Sequence, residues 1–235
     1  MWAAILVLFA GVLGSCADEG LGSGRIVTQE RRPGAFTAVA SSSNIQLVLH
    51  RSEESFVRVA TDDNLIDKII TTVENGILTV RSTEERLLSS AIEVDVYAPV
   101  FTGVDVEGRT SITCRDSIRT DVFRLSHRGS GTVTVERLRS DSMAITMTGE
   151  STAYFSSCST GIARIQLAGT ARYNAFGLYS DSAFVNHGGE RNAEIFVGRY
   201  LYSRPSSTGD VVYIGSTTLT TDTIPSPLGG RTRPR

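Results

Sequence analysis

The sequence is poor in several residue types, and these shortages limit what the protein can be. It has 23 basic residues, of which Lys68 is the single lysine, and only three histidines, three cysteines and six prolines among 235 residues. The basic residues are nearly balanced by 25 acidic ones, giving a formal net charge of -2. Non-specific nucleic-acid binding needs a clear excess of positive charge. We therefore expect no nucleic-acid partner.

Motifs of common active sites are also missing. None of His50, His127 and His187 belongs to an H-E-x-x-H pattern, no cysteine pair has zinc spacing, and no G-x-S-x-G elbow is present. Five aspartates that could have formed a carbohydrate-cleaving site are dispersed: Asp105, Asp116, Asp121, Asp141 and Asp181. Of these, Asp121, Asp141 and Asp181 recur near the ends of their repeats and are interpreted as turn residues. We expect no catalytic residue, no metal site and no cofactor, and therefore no enzyme.

Residues 1–15 form an uncharged apolar run that is too short to cross a bilayer, which takes about 20 residues. Its length fits the apolar region of a signal peptide. The run ends in Leu13-Gly14-Ser15-Cys16, which resembles the bacterial lipobox. That resemblance implies cleavage before Cys16 and acylation of its thiol, so that the chain is anchored to a membrane. The alternative is an ordinary secretory signal with a chance cysteine.

The residues after Cys16 predict an address and a spacer. Asp18 and Glu19 resemble the signal that sends some Gram-negative lipoproteins to the outer surface. We expect an outer-membrane lipoprotein of the cell envelope, with residues 16–24 as a lipidated, flexible, glycine-rich tether.

Residues 25–100 predict an irregular β region. Short apolar or alternating segments separated by Pro, Gly, Ser and Asn indicate strands near residues 26–27, 36–39, 45–49, 56–60 and 92–97. One short helix is predicted over residues 62–70, capped by Asp62, Asp63 or Asn64. Asn75-Gly76 predicts a tight type I′ hairpin between residues 72–74 and 77–80.

Residues 101–215 contain a glycine that returns at a nearly constant interval. The spacings are 21, 20, 20, 20 and 20 residues, between Gly108, Gly129, Gly149, Gly169, Gly189 and Gly209. Four residues before each glycine stands an aliphatic residue, except that the last repeat has Pro205. Around the glycines, apolar residues fall at every second position, which indicates strands with one buried face.

A unit this short cannot bury its own apolar face, so the repeats are expected to stack. We predict an all-β fold: a right-handed parallel β-helix-like stack of ~20-residue coils, with the less regular residues 25–100 covering one end. The glycine would turn a corner where a Cβ atom is excluded. The alternative is an antiparallel sandwich or up-and-down barrel. Residues 216–235 are predicted to be a disordered tail.

The repeat also predicts where the other notable residues lie. Cys158 falls in a core column with Leu138 and Leu178, and Cys114 is expected to align with Thr134 and Tyr154 on another face. A Cys114–Cys158 disulfide is therefore not expected. His127 and His187 share one column, as partly covered side chains rather than metal ligands.

Several of these features together resemble one bacterial family of secreted domains. They are Gly22-Ser23-Gly24 before a strand, Asp63-Asn64-Leu65 leading into the Asn75-Gly76 hairpin, the Val96-Tyr97-Ala98-Pro99 junction, and the later glycines. The family is the "putative auto-transporter adhesin head", or GIN domain, and the resemblance covers residues 22–215. It implies an extracytoplasmic, β-helix-like fold without an established enzymatic activity.

Three functions follow as hypotheses. The first is a non-enzymatic cell-envelope lipoprotein whose β stack is an interaction or structural module for an unknown protein or glycan. The second is carbohydrate binding or adhesion through exposed tyrosines, since aromatic residues gather in the later repeats. These are Tyr154, Phe155, Tyr173, Phe176, Tyr179, Phe196, Tyr200 and Tyr202. The third is a polysaccharide-acting enzyme, which would need several carboxylates close together.

Overall fold

The computed structural model describes residues 20–83, 87, 92–215 and 220–235, and it is all-β as predicted. Across these residues the one helical element is a 3-10 turn at Ile66–Lys68. The strands are β1 (Ile26–Arg31), β2 (Ala38–Ser41), β3 (Gln46–Arg51), β4 (Phe56–Asp62), β5 (Ile69–Glu74), β6 (Ile77–Ser82), β7 (Glu93–Ala98), β8 (Gly103–Gly108), β9 (Ser111–Gly169), β10 (Arg172–Gly189), β11 (Ala193–Pro205), β12 (Val211–Gly215), β13 (Thr220–Thr223) and β14 (Thr232–Pro234).

The second half of the chain is joined by parallel pairing between successive repeats. β10 lies parallel to β9, with Tyr173 opposite Ala153 and Gly189 opposite Gly169. β8 lies parallel to an earlier part of β9, with Gly108 opposite Gly129. This parallel register differs from that of the antiparallel sandwich and up-and-down barrel considered as alternatives.

Side chains alternate between the interior and the surface, as the period of two predicts. Val104, which pairs with Leu125, is buried, and so are Ile145, Ile165 and Val185. These inward residues form one continuous core along the direction in which the strands succeed one another. The core therefore gains a layer with each repeat.

The repeated glycines lie one above the other, and we call this set, from Gly108 to Gly209, the glycine column. A Cβ atom built on Gly149 would lie 2.5 Å from the carbonyl oxygen of Gly129, and one on Gly209 would lie 2.7 Å from that of Gly189. Gly149 has φ +88° and Gly169 φ +72°, whereas Gly209 has no positive φ. Glycine is thus required by backbone conformation in the earlier repeats and by close approach from Gly129 onwards.

The columns shift near the C-terminal end, because register shifts interrupt the pairing of β10 with β11. Val185 pairs with Ser203 and His187 with Pro205, so these partners are closer in sequence than the partners joining β9 to β10. Pro205 therefore belongs to the column of His187, which explains why it broke the aliphatic pattern in the sequence.

The first part of the chain covers the other end of the sheet. β2 lies between β6 and β8. The spatial order of these three strands therefore differs from their order in the sequence. β4 pairs antiparallel with β7, β1 with β4, and β5 with β6. The sheet is therefore mixed, and the right-handed parallel β-helix, a finer description than this, stays a prediction.

The predicted helix over residues 62–70 is shortened to the 3-10 turn, because its flanks are strands β4 and β5. The expected capping side chains have another role. Asp62 accepts a hydrogen bond from the Gly24 amide at 2.6 Å, and Asn64 accepts one from the Ser23 amide at 2.9 Å. The last residues of the predicted flexible tether are thus held against the domain.

The predicted Asn75-Gly76 hairpin is confirmed. Asn75 has φ 51° and Gly76 has φ 75°, as a tight turn of this type requires. Glu74 lies opposite Ile77, so β5 and β6 pair directly on either side of the turn.

The two ends of the chain complete this description. For residues 216–235 the sequence predicted disorder. Residues 216–219 lie outside the described residues; beyond them, β13 pairs in parallel with β11 and β14 with β12. The β-branched threonines of β13 favour a strand. A Cβ atom on the corner residue Gly230 would lie 2.5 Å from the Gly209 carbonyl oxygen, so this part of the tail approaches the last repeat as closely as one repeat approaches another. The predicted signal peptide, residues 1–15, and the predicted lipid anchor, Cys16, lie outside the described residues.

Replacing Gly149 with alanine tests the close approach within the glycine column. Gly76→Ala is the matched control, since Gly76 also has positive φ (+75°) but nothing lies within 4 Å of its Cβ position. The left-handed backbone costs both variants roughly 1 kcal/mol. Overpacking should cost Gly149→Ala a further 1–3 kcal/mol, roughly. Denaturant unfolding measures both, and equal losses would contradict the account.

Candidate binding face

The aromatic residues singled out from the sequence do not form one strip. Phe155 and Tyr173 are core residues, with ring centroids 5.7 Å apart. Tyr154 is 44% exposed on the outer side of its strand, and Tyr179, 40% exposed, packs edge-on against another ring, Phe196. Tyr200 and Tyr202 share one outward face with Phe184. Phe184 was not among the aromatic residues singled out from the sequence.

This face, here called the groove face, is the outer surface of the parallel strands that end at the glycine column. Two neighbouring columns of outward residues define it, and their pairing follows the register of β2, β6, β8, β9, β10 and β11. The first column contains Ile77, Ala38, Gly103, Arg124, Ala144, Arg164, Phe184 and Tyr202. The second contains Thr79, Ala40, Asp105, Ser126, Thr146, Gln166, Asn186 and Arg204.

An aromatic cluster occupies one end of the groove face. The ring of Phe184 lies 5.8 Å from that of Tyr200 and 6.4 Å from that of Tyr202, in tilted arrangements. The Arg164 guanidinium lies over the Phe184 ring at 5.7 Å. All three rings are half-buried, so each keeps an accessible surface. Two tyrosines with hydroxyl groups beside a phenylalanine suit the binding of ligands that have both apolar and polar surfaces.

Two shallow hollows run along the groove face. One of about 370 Å³ extends from Ile77 past Arg124, and one of about 450 Å³ extends from Arg164 to Tyr202. Ala144 and Thr146 line both hollows. The two hollows therefore meet at these small side chains and follow one another along the direction of stacking.

The other end of the domain carries a second aromatic stack, which was not predicted. Phe56, Tyr97 and His50 lie on neighbouring strands, with centroids 4.2 and 4.6 Å apart and nearly parallel rings. Alternating sequence segments did predict the strands that carry these three residues. The sequence did not show that β4 pairs with β7, and this pairing brings the rings together. The Arg58 guanidinium covers two of these rings, and Arg32 also lies over Phe56. The faces of Phe56 and Tyr97 are thus contacted by neighbouring side chains of the same chain.

The histidines of the repeat are buried more completely than predicted. His127 pairs with Val106 and His187 with Leu167, and all four side chains are buried. His127 Nε2 lies 2.8 Å from the Thr110 carbonyl oxygen, and burial lowers the pKa of His187. Within the described part of the chain, no three His, Cys, Asp or Glu side chains are grouped to hold a metal ion.

Both described cysteines are free and buried. Cys158 pairs with Leu178 as predicted. The predicted alignment of Cys114 with Thr134 and Tyr154 is wrong, because the interval from Gly108 to Gly129 is one residue longer than the later intervals. Cys114 is instead an inward residue, opposite Leu49, and its place after its glycine matches that of the buried Val135.

Comparison with known proteins identifies the kind of domain. The fold and the exposed groove define an all-β domain with an extended outer face. The chain belongs to the family described as "putative auto-transporter adhesin, head GIN domain", whose model matches residues 35–217. No curated protein matched the chain. Among the described residues, no helix is long and apolar enough to span a bilayer.

Solved structures share the fold at low sequence identity. A putative adhesin from Bacteroides fragilis has a TM-score of 0.85 and 14% identity, covering 92% of this chain and 99% of its own. One from Parabacteroides merdae has a TM-score of 0.70 at 17% identity, with coverages of 92% and 98%. A structure called a putative lipid binding protein, from Parabacteroides distasonis, has 0.63 at 16%, with the same coverages.

The buried thiols make the free energy of unfolding decrease as the pH rises in the alkaline range. Burial raises the pKa of Cys114 to about 12 and that of Cys158 to about 11, from an ordinary value of 9.0. The folded state keeps both thiols protonated. Their contribution to the free energy of unfolding is therefore complete below pH 9, and it is lost as the pH rises through the pKa values of the folded state. Each thiol should lower the free energy of unfolding by up to about 1.4 kcal/mol per pH unit above pH 9.

Denaturant unfolding between pH 8 and 10 measures this slope. Cys158→Ala should lower stability at every pH, because it leaves a cavity, but it should make the slope shallower. Cys16→Ala is the control and should leave the slope unchanged. An unaltered slope in Cys158→Ala would contradict burial of a protonated thiol.

Proposed function

We propose that the chain is a non-enzymatic lipoprotein of the bacterial cell envelope, held to the outer membrane through acylated Cys16, with the β domain as its interaction module. The groove face carries this proposal, since it offers a continuous exposed surface with aromatic, amide and guanidinium groups. Membership of an adhesin-like family supports an envelope or surface role. The parallel register of successive repeats supports a right-handed β-helix-like stack as the scaffold.

Carbohydrate binding is the second candidate, and the aromatic cluster favours it. Phe184, Tyr200 and Tyr202 offer ring surfaces for the apolar faces of sugars, and Gln166 and Asn186 beside them offer hydrogen-bond donors and acceptors. A surface adhesin that binds glycans would use such a face. Dispersed acidic residues give no comparable support to a polysaccharide-cleaving enzyme.

Replacing Cys16 with alanine tests the membrane attachment. The wild-type chain should sediment with membranes, because burial of acyl chains contributes roughly 0.8 kcal/mol per CH₂ group. Cys16→Ala should move to the soluble fraction and lose its acyl mass. Cys114→Ala is the control and should remain with the membranes. Retention of Cys16→Ala in the membrane pellet would show that the anchor is elsewhere.

A further inference from the structure

We infer that the groove face binds a linear acidic polysaccharide with one carboxylate per disaccharide, lying along the direction of stacking. This inference rests on the proposed function, because it names the class of partner for the same interaction module. It rests on three arginines, the aromatic cluster and a column of polar residues.

Arg124, Arg164 and Arg204 are exposed on the groove face. None of the three forms an ion pair with another residue in the described ranges. Arg128, also on this face, behaves differently, since it holds Asp105 at 3.0 Å and Glu107 at 2.7 Å. Asp105 and Glu107, the two carboxylates close to Arg124 on this face, are thus already paired with Arg128. Arg124, Arg164 and Arg204 keep their charge for a ligand.

The spacing of these arginines matches a repeating ligand. Arg124 and Arg164 belong to one column with Ala144 between them, so they are two strands apart. Arg204 pairs with Asn186, which pairs with Gln166 beside Arg164, so it lies two strands further along. Neighbouring strands are about 4.8 Å apart, which places the guanidinium-bearing positions about 9.6 Å apart along the stack. Two sugar rings in an extended chain span a comparable length.

The space between the arginines suits the sugar rings. Phe184 lies in the strand between Arg164 and Arg204, and Tyr202 pairs with it in the next strand. Their accessible ring surfaces can stack against pyranose C–H groups. The parallel column presents one polar side chain per strand, each able to bond a sugar hydroxyl: Ser126, Thr146, Gln166 and Asn186.

Charge and shape favour a polysaccharide over other partners. The chain has a net charge of -2, so the positive groove face is a local feature and not part of a general affinity for polyanions. Its groove is shallow and long, and small residues such as Ala144 leave the centre open. A narrow, extended and evenly charged chain fits this shape better than a compact protein surface.

Calorimetric titration of the purified full chain with hyaluronan decasaccharides, which carry one carboxylate per disaccharide, tests the inference. We expect binding that weakens as salt is raised. Each of Arg124→Gln, Arg164→Gln and Arg204→Gln should weaken affinity by about 2- to 5-fold, and the triple variant by more than about 10-fold. Neutral chitin oligosaccharides of equal length should bind at least about 10-fold more weakly.

A second triple variant, Arg119→Gln/Arg139→Gln/Arg172→Gln, is the matched control, since it removes the same charge from exposed positions off the groove face. It should bind the decasaccharide as the wild type does. Equal losses in the two triple variants, or no loss in the first, would overturn the inference. So would absence of hyaluronan binding in a folded chain; if Cys16→Ala still left the membrane, the proposed envelope function would stand without it.

Discussion

The fold depends on the close approach of backbone at one corner of every repeat. There the carbonyl oxygen of one glycine lies where a Cβ of the next would be, as between Gly129 and Gly149. Amides beside this corner bond back to it: Thr170 donates to the Gly149 carbonyl oxygen and Glu190 to that of Gly169, both at 2.9 Å. These contacts align successive repeats at the corner, and the inward side chains of the parallel strands form a continuous core.

The same register that builds the core also orders the surface. Because each repeat has the same alternation of inward and outward residues, an outward column can carry any side chains without disturbing the core. The groove face uses this freedom, with small residues at its centre and Phe184, Tyr200 and Tyr202 at one end. Function therefore depends on the side chains of the outward columns, since a fold alone does not define it.

Sequence periodicity was enough to predict the strands, the glycine column and the buried place of Cys158, since all of these follow from a local period. It failed where the period changes. The longer interval before Gly129 hid the inward position of Cys114, and the register shifts within β10 moved Pro205 to another column. The aromatic cluster depends on those same shifts, because they bring Tyr202 opposite Phe184. The strands β13 and β14 were missed because their pairing partners, β11 and β12, could not be identified from the tail's own sequence.

Deletion of one whole repeat tests most directly that stacked repeats hold the domain together. Removing residues 150–169 joins Gly149 to Thr170 and leaves every inward and outward column in place. Removing residues 150–160 deletes an odd number of positions, so that the exposed Arg164 takes the inward place of Ala153. Denaturant unfolding followed by circular dichroism should give a cooperative transition for the first deletion and none for the second. Equal behaviour of the two deletions, folded or unfolded, would contradict the account.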